Sequence, residues 1–121
     1  MDSASDGRMD TYEARTRMRD VALEALQIVD VLAGGECVQA RQRGILRELM
    51  GVARGLVADA GYPGEGVWRG LQRATIGLET GFDCGDTGFW RELSIDLREA
   101  METLNSLVAP RGREADIHII G

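Results

Sequence analysis

Residues 88–108 read Gly88-Phe89-Trp90-Arg91-Glu92-Leu93-Ser94-Ile95-Asp96-Leu97-Arg98-Glu99-Ala100-Met101-Glu102-Thr103-Leu104-Asn105-Ser106-Leu107-Val108. Phe89, Trp90, Leu93, Leu97, Ala100, Met101, Leu104, Leu107 and Val108 recur at three- and four-residue steps. At about 100° per residue those steps gather them into one stripe along a helix. Asp86 or Thr87 is placed to cap this helix and Pro110 to stop it. A helix carrying so wide an apolar stripe has to bury it against a second layer, and the rest of the chain supplies more helices rather than strands.

Upstream, Asp10 followed by Glu13 has the spacing of a capping box, with Met9 and Ala14 set to staple it. Behind that cap, Ala14, Met18, Val21, Ala22, Ala25, Ile28, Val29 and Leu32 share one side of a helix that Gly34-Gly35 ends, while Arg17, Asp20, Glu24 and Gln27 face solvent. A second helix is predicted from about Cys37 to Ala60, stopped by Gly61 and Pro63. Its apolar arc of Val38, Ile45, Leu49, Val52, Ala53, Leu56 and Ala60, widened by Leu46, Met50 and Val57, is wide enough for a central helix. Gly44, Gly51 and Gly55 fall opposite that arc beside Ala40 and Ala58. They read either as a small-residue second interface or as base composition. After a loop at 61–66, Val67, Leu71, Ala74 and Leu78 signal a third helix ending at Gly81, and Gly70, Ala74, Gly77 and Gly81 form a small-residue strip suited to a tight helix pair. The fold class is therefore all-α, a four-helix bundle-like single domain over 10–109, in the simplest case up-down-up-down. A flexible N-terminus over 1–9 precedes it and a short irregular tail over 110–121, with its Ile117-His118-Ile119-Ile120 run, follows it.

The 121 residues carry a formal charge of −6, 44% hydrophobic and 28% charged residues, which fits one ordinary soluble domain. All 14 cationic side chains are arginine, from GC-rich base composition or from avoidance of lysine-directed tagging. Schiff-base chemistry, covalent pyridoxal phosphate and a phosphate-loop lysine are excluded, since each needs a primary amine. His118 is the only histidine, so no zinc site built on several imidazoles can be assembled within the chain. No Gly-x-Ser-x-Gly elbow accompanies it. The loop from Asp83 to Gly88 fails as a calcium loop, because its third and fifth positions are Gly85 and Thr87 and its twelfth is Ser94. No catalytic residue, metal or cofactor is assigned. Cys37 and Cys84 are too far apart in sequence for a CxxC unit and too few for a structural zinc site, and the polar, acidic start without a signal peptide points to a reducing cytoplasm with free thiols, with a Cys37–Cys84 disulfide as the alternative. No apolar run approaches the ~20 residues of a membrane span.

Two helix starts echo one another: Gly66-Val67-Trp68-Arg69-Gly70-Leu71 and Gly88-Phe89-Trp90-Arg91-Glu92-Leu93 share Gly, apolar, Trp, Arg, any, Leu. Trp68 and Trp90 are thereby candidates either for rim packing or for partner binding. Trp68-Arg69-Gly70 resembles the Trp-x-Gly turn of small secreted helical-hairpin proteins. That family places a tyrosine-containing signal after the motif, whereas here two helices precede it and no tyrosine follows Tyr62, so neither fold nor function is carried over.

Charge is segregated. Residues 1–35 carry −3, 36–78 carry +2, 79–102 carry −5 and the remainder is neutral. Glu92, Asp96, Glu99 and Glu102 repeat along the last helix, and Arg43, Arg47 and Arg54 run along one edge of the second. In an up-down bundle those helices are diagonal, so the two stripes could meet only between chains. An acidic chain is a poor direct binder of nucleic acid, but a carboxylate array suits a basic protein partner and can compete with nucleic acid for it. The sequence thus reads as a non-enzymatic, cytoplasmic regulator or inhibitor that binds a protein through Glu92, Asp96, Glu99, Glu102, Arg43, Arg47, Arg54, Trp68 and Trp90. The alternatives are a self-assembling homo-oligomeric subunit and an enzyme using Cys84, whose thiol sits near a helix N-terminus, or the Asp83 and Asp86 pair.

Overall fold

Asp10 stands just outside the first helix with extended backbone and accepts the Glu13 N–H on its carboxylate at 3.0 Å, the cap predicted from their spacing. From there a computed structural model describes residues 10–108 as α1 (Thr11–Ala33), α2 (Ala40–Ala60), α3 (Tyr62–Thr80) and α4 (Thr87–Val108). The expectations for 1–9 and for the tail, His118 included, lie outside these residues.

Contacts between helix ends settle the topology. The Tyr12 hydroxyl donates to the Val108 carbonyl at 3.1 Å, so α1 begins where α4 ends. Arg15 Nε donates to the Ala60 carbonyl at 2.9 Å, so it also begins where α2 ends. At the far end Arg91 Nε donates to the Ala33 carbonyl at 3.2 Å. The bundle is therefore up-down-up-down. α1 packs on α2, α4 and, across the near diagonal, α3, whereas α2 and α4 do not meet. The central helix is α1, a correction to the sequence reading of α2. Confined to a corner with two neighbours, α2 buries only a narrow arc of Leu46, Leu49, Ala53, Leu56 and Ala60, and Val52 is exposed.

Two boundaries and one covalent link differ from the sequence expectation. α2 starts at Ala40 rather than near Cys37, because the Gln42 side chain accepts the Gln39 N–H at 2.8 Å and fixes the cap there. α3 starts at Tyr62, which overturns the loop at 61–66. Gly61, at φ 80, reverses the chain by itself, and Pro63 sits in the first helical turn, where its missing N–H costs nothing. The third difference is covalent: Cys37 and Cys84 are bonded, so the free thiols expected from the sequence are replaced by a disulfide joining the 34–39 loop to the 81–86 loop.

The two glycine groups behave oppositely. A Cβ on Gly70 would lie 2.6 Å from Leu97 Cδ2, one on Gly64 2.9 Å from the Ala60 Cβ, and one on Gly77 3.0 Å from the Phe89 ring, so α3 approaches its neighbours only because these side chains are missing. Around Gly44, Gly51 and Gly55 nothing lies within 4 Å. Alanine at Gly51 or Gly55 should therefore raise stability by about 0.5–1 kcal/mol through helix propensity. Gly70→Ala should lower it by about 1–3 kcal/mol through overpacking against the fully buried Leu97. Urea midpoints of the single variants check both signs.

One polar cluster fixes the α1–α4 register. Ser94, buried, donates to Asp30 Oδ1 at 2.7 Å, Arg98 Nε donates to Ser94 Oγ at 3.3 Å, and Arg98 pairs with the other Asp30 oxygen. The ion pair is half exposed and worth at most about 1 kcal/mol. The sheltered serine bond is what makes a slipped register costly.

Candidate functional site

Helical spacing places Glu92, Asp96, Glu99 and Glu102 on the side of α4 that faces away from the core, and all four are exposed. Because α2 never reaches α4, nothing on the Arg43, Arg47 and Arg54 edge can neutralise them within the chain. Asp96 alone is paired, to Arg73 Nη1 of α3 at 2.7 Å, and Arg73 lies 5.9 Å over the Phe89 ring. Among the described residues Glu92, Glu99 and Glu102 have no cationic partner. Ile95 stands on the same face at 56% exposure. Glu92 and Glu99 flank it on one side and Arg91 and Arg98, both exposed, on the other, so it is an apolar side chain with a charged rim, as at an interface anchor.

That face continues into the groove between α3 and α4. The floor is Gly66, Gly70 and Ala100, low because the close approach of the two helices requires small residues there. Asp96 and Glu99 form one wall and Arg69 and Arg73 the other, over a volume of about 430 Å³. Tyr62, 84% exposed, stands at its end. Within the groove Arg73 holds Asp96 and Arg69 lies 4.0 Å from Glu65, so Glu99 is the lining carboxylate without a cationic partner among the described residues, and an aromatic ring stands at the entrance.

The remaining sequence candidates separate. Arg43, Arg47 and Arg54 are exposed on α2, and Arg47 leans on Glu79 of α3 at 3.4 Å. Trp68 is half-buried against the core. Trp90 is corrected: it is 0% exposed, its indole N–H donating to the Asp83 carbonyl at 2.8 Å, so no partner can reach it. The Asp83 and Asp86 carboxylates are spent on their own loop. Asp83 Oδ1 accepts the Gly85 N–H, and Asp86 Oδ2 accepts the Asp83 N–H, each at 2.8 Å. Bonded to Cys37, Cys84 presents no thiolate.

Sequence reasoning missed Ile95, Tyr62 and the groove. Ile95 was legible as the apolar residue that falls off the α4 stripe. Of the groove's glycines only Gly70 falls in the predicted small-residue strip, while Gly66 falls in the predicted loop at 61–66. Among the described residues no helix is long and apolar enough to cross a membrane. No family model, no curated protein and no solved structure matches the chain.

Proposed function

We propose that this protein is a non-enzymatic binding module whose acidic α4 face and adjoining groove dock a basic protein, acting as a regulator or inhibitor that competes with nucleic acid for the partner's cationic surface. The observation that carries the reading is the trio Glu92, Glu99 and Glu102, unpaired among the described residues beside the exposed Ile95. Unpaired carboxylates on a rigid helix raise the encounter rate with a cationic surface, and the central apolar side chain supplies affinity once rim water is expelled. A reducing cytoplasm would keep both thiols free. The Cys37–Cys84 bond favours an oxidising compartment instead, where such bonds persist.

The test is capture from a lysate of the source with three baits: the natural chain, a Glu92→Gln, Glu99→Gln, Glu102→Gln variant, and an Arg43→Gln, Arg54→Gln control. A protein retained by the first and third baits, lost by the second and displaced by duplex DNA supports the reading. Equal retention by all three, or indifference to DNA, overturns it.

Self-assembly is a second reading, favoured by the open glycine face of α2. Because the Arg43 and Arg54 edge and the acidic face lie on helices that do not touch, a contact between them is head-to-tail and builds rings or filaments rather than closed dimers. Light scattering at low salt and at about 1 M, where the screening length falls to ~3 Å, separates the two. A multimer that the triple-Gln variant abolishes puts a second copy on this face.

A further inference from the structure

Thr75 departs from the pattern of the other threonines inside these helices. Thr16, Thr80 and Thr103 each donate their hydroxyl to the carbonyl four residues back, those of Tyr12, Ile76 and Glu99. Thr75, 6% exposed, leaves its Oγ1 sealed and without a hydrogen-bond partner. Buried hydroxyls without a partner are rare in native folds, and each calls for an explanation.

Thr75 lines a cleft of about 120 Å³ between α2 and α3, whose other walls are Arg43, Arg47, Leu78 and Glu79. The two arginines are one turn apart on α2 and share its edge. Arg47 is held by Glu79 at 3.4 Å, while Arg43 has no acidic partner among the described residues. Two guanidiniums against one carboxylate leave a net positive charge, and guanidinium forks match the geometry of tetrahedral oxyanions. The cleft has room for a phosphoryl group.

We propose that this cleft binds a phosphoryl oxyanion, held by the Arg43 and Arg47 guanidiniums and by the Thr75 hydroxyl, with Glu79 as the internal anion that the ligand displaces. Helical threonine uses two χ1 rotamers, and the proposal requires a step between them that brings the sealed Oγ1 to the cleft. The cleft lies on α2 and α3, so it stands or falls independently of the α4 face.

The experiment follows the arginine side-chain N–H signals of the full isotope-labelled chain while inorganic phosphate, or O-phosphoserine as a small monoester, replaces chloride at constant ionic strength. Saturable shifts at Arg43 and Arg47 are expected. Arg43→Gln should weaken binding by about tenfold, as losing one charge-assisted hydrogen bond does. Thr75→Val should weaken it several-fold while leaving the chain at least as stable in chloride, because it removes an unpaired hydroxyl without changing side-chain volume. Glu79→Gln should tighten it, the opposite sign to the other two. Saturation by phosphoserine but not by inorganic phosphate supports the site with the phosphoryl group carried on a larger molecule. Shifts equal in phosphate and chloride overturn the proposal. So does a Thr75→Val chain that gains stability with phosphate binding unchanged, which would leave the hydroxyl to a trapped water.

Discussion

Reduction of the Cys37–Cys84 bond lowers the free energy of unfolding by about 4 kcal/mol, the chain-entropy value for a tie across a separation of 47 residues. Among the described residues the bond joins the two loops at its end of the bundle, so it links the α1–α2 hairpin to the α3–α4 hairpin at the point farthest from the Gly61 turn. Without it the unfolded chain regains the freedom of that whole segment. The folded state, whose core of leucine, valine and alanine side chains is continuous across all four helices, keeps its helices. For a chain of this size the loss corresponds to a melting temperature lower by roughly 12–20 °C. Calorimetry of the oxidised protein against the Cys37→Ser, Cys84→Ser variant reads it directly, with far-UV circular dichroism unchanged at low temperature. A shift of only a degree or two would mean that the unfolded chain is already held compact by other contacts, and that the bond constrains nothing.

Trp90→Ala costs about 3–5 kcal/mol, the range for emptying a buried aromatic site. Trp90 is the largest fully buried side chain. Its ring meets Phe89 edge-on at 4.7 Å between centroids, and Phe89 in turn lies 4.4 Å from Phe82. Its indole N–H holds the Asp83 carbonyl and with it the loop that carries Cys84. Removing the ring therefore opens a cavity and frees the loop at once. Trp68→Ala, at a half-buried position, costs less, and Trp90→Phe falls between them because it keeps most of the apolar contact and loses the hydrogen bond. Urea titrations of the three variants check the order, and a Trp90→Ala cost no greater than that of Trp68→Ala would contradict the account.

The parts of the fold that the sequence reveals are those governed by local spacing. The α1 stripe from Ala14 to Leu32 is buried throughout, because α1 has neighbours on three sides and every apolar step along it meets one. The same period misleads at Val52 and Leu107, both exposed. Each sits at the margin of its stripe on a helix with fewer neighbours, and periodicity carries no information about how many neighbours a helix has. The α3 start was misread because Gly61, Tyr62, Pro63, Gly64 and Gly66 look like loop composition. Gly64 and Gly66 are there for close approach to Met18, Ala60 and Ala100, contacts that spacing along one helix cannot reveal. The acidic face was legible as a charge pattern. The pairing of Asp96 with Arg73, the bond between Cys37 and Cys84 and the unpaired Thr75 hydroxyl depend on which helices are adjacent, and adjacency is a property of the packed bundle.

The bond from the Tyr12 hydroxyl to the Val108 carbonyl brings the entry of α1 beside the exit of α4. The order in which the four helices follow one another along the chain is thus separable from their arrangement in space. A short linker from Asp10 to Val108 would close the backbone into a ring, and cutting that ring in the 34–39 loop gives a circular permutant that begins with α2. In such a permutant α1 and α4, the partners with the widest sequence gap here, become consecutive, and the pairing that now must close the longest loop during folding would close the shortest.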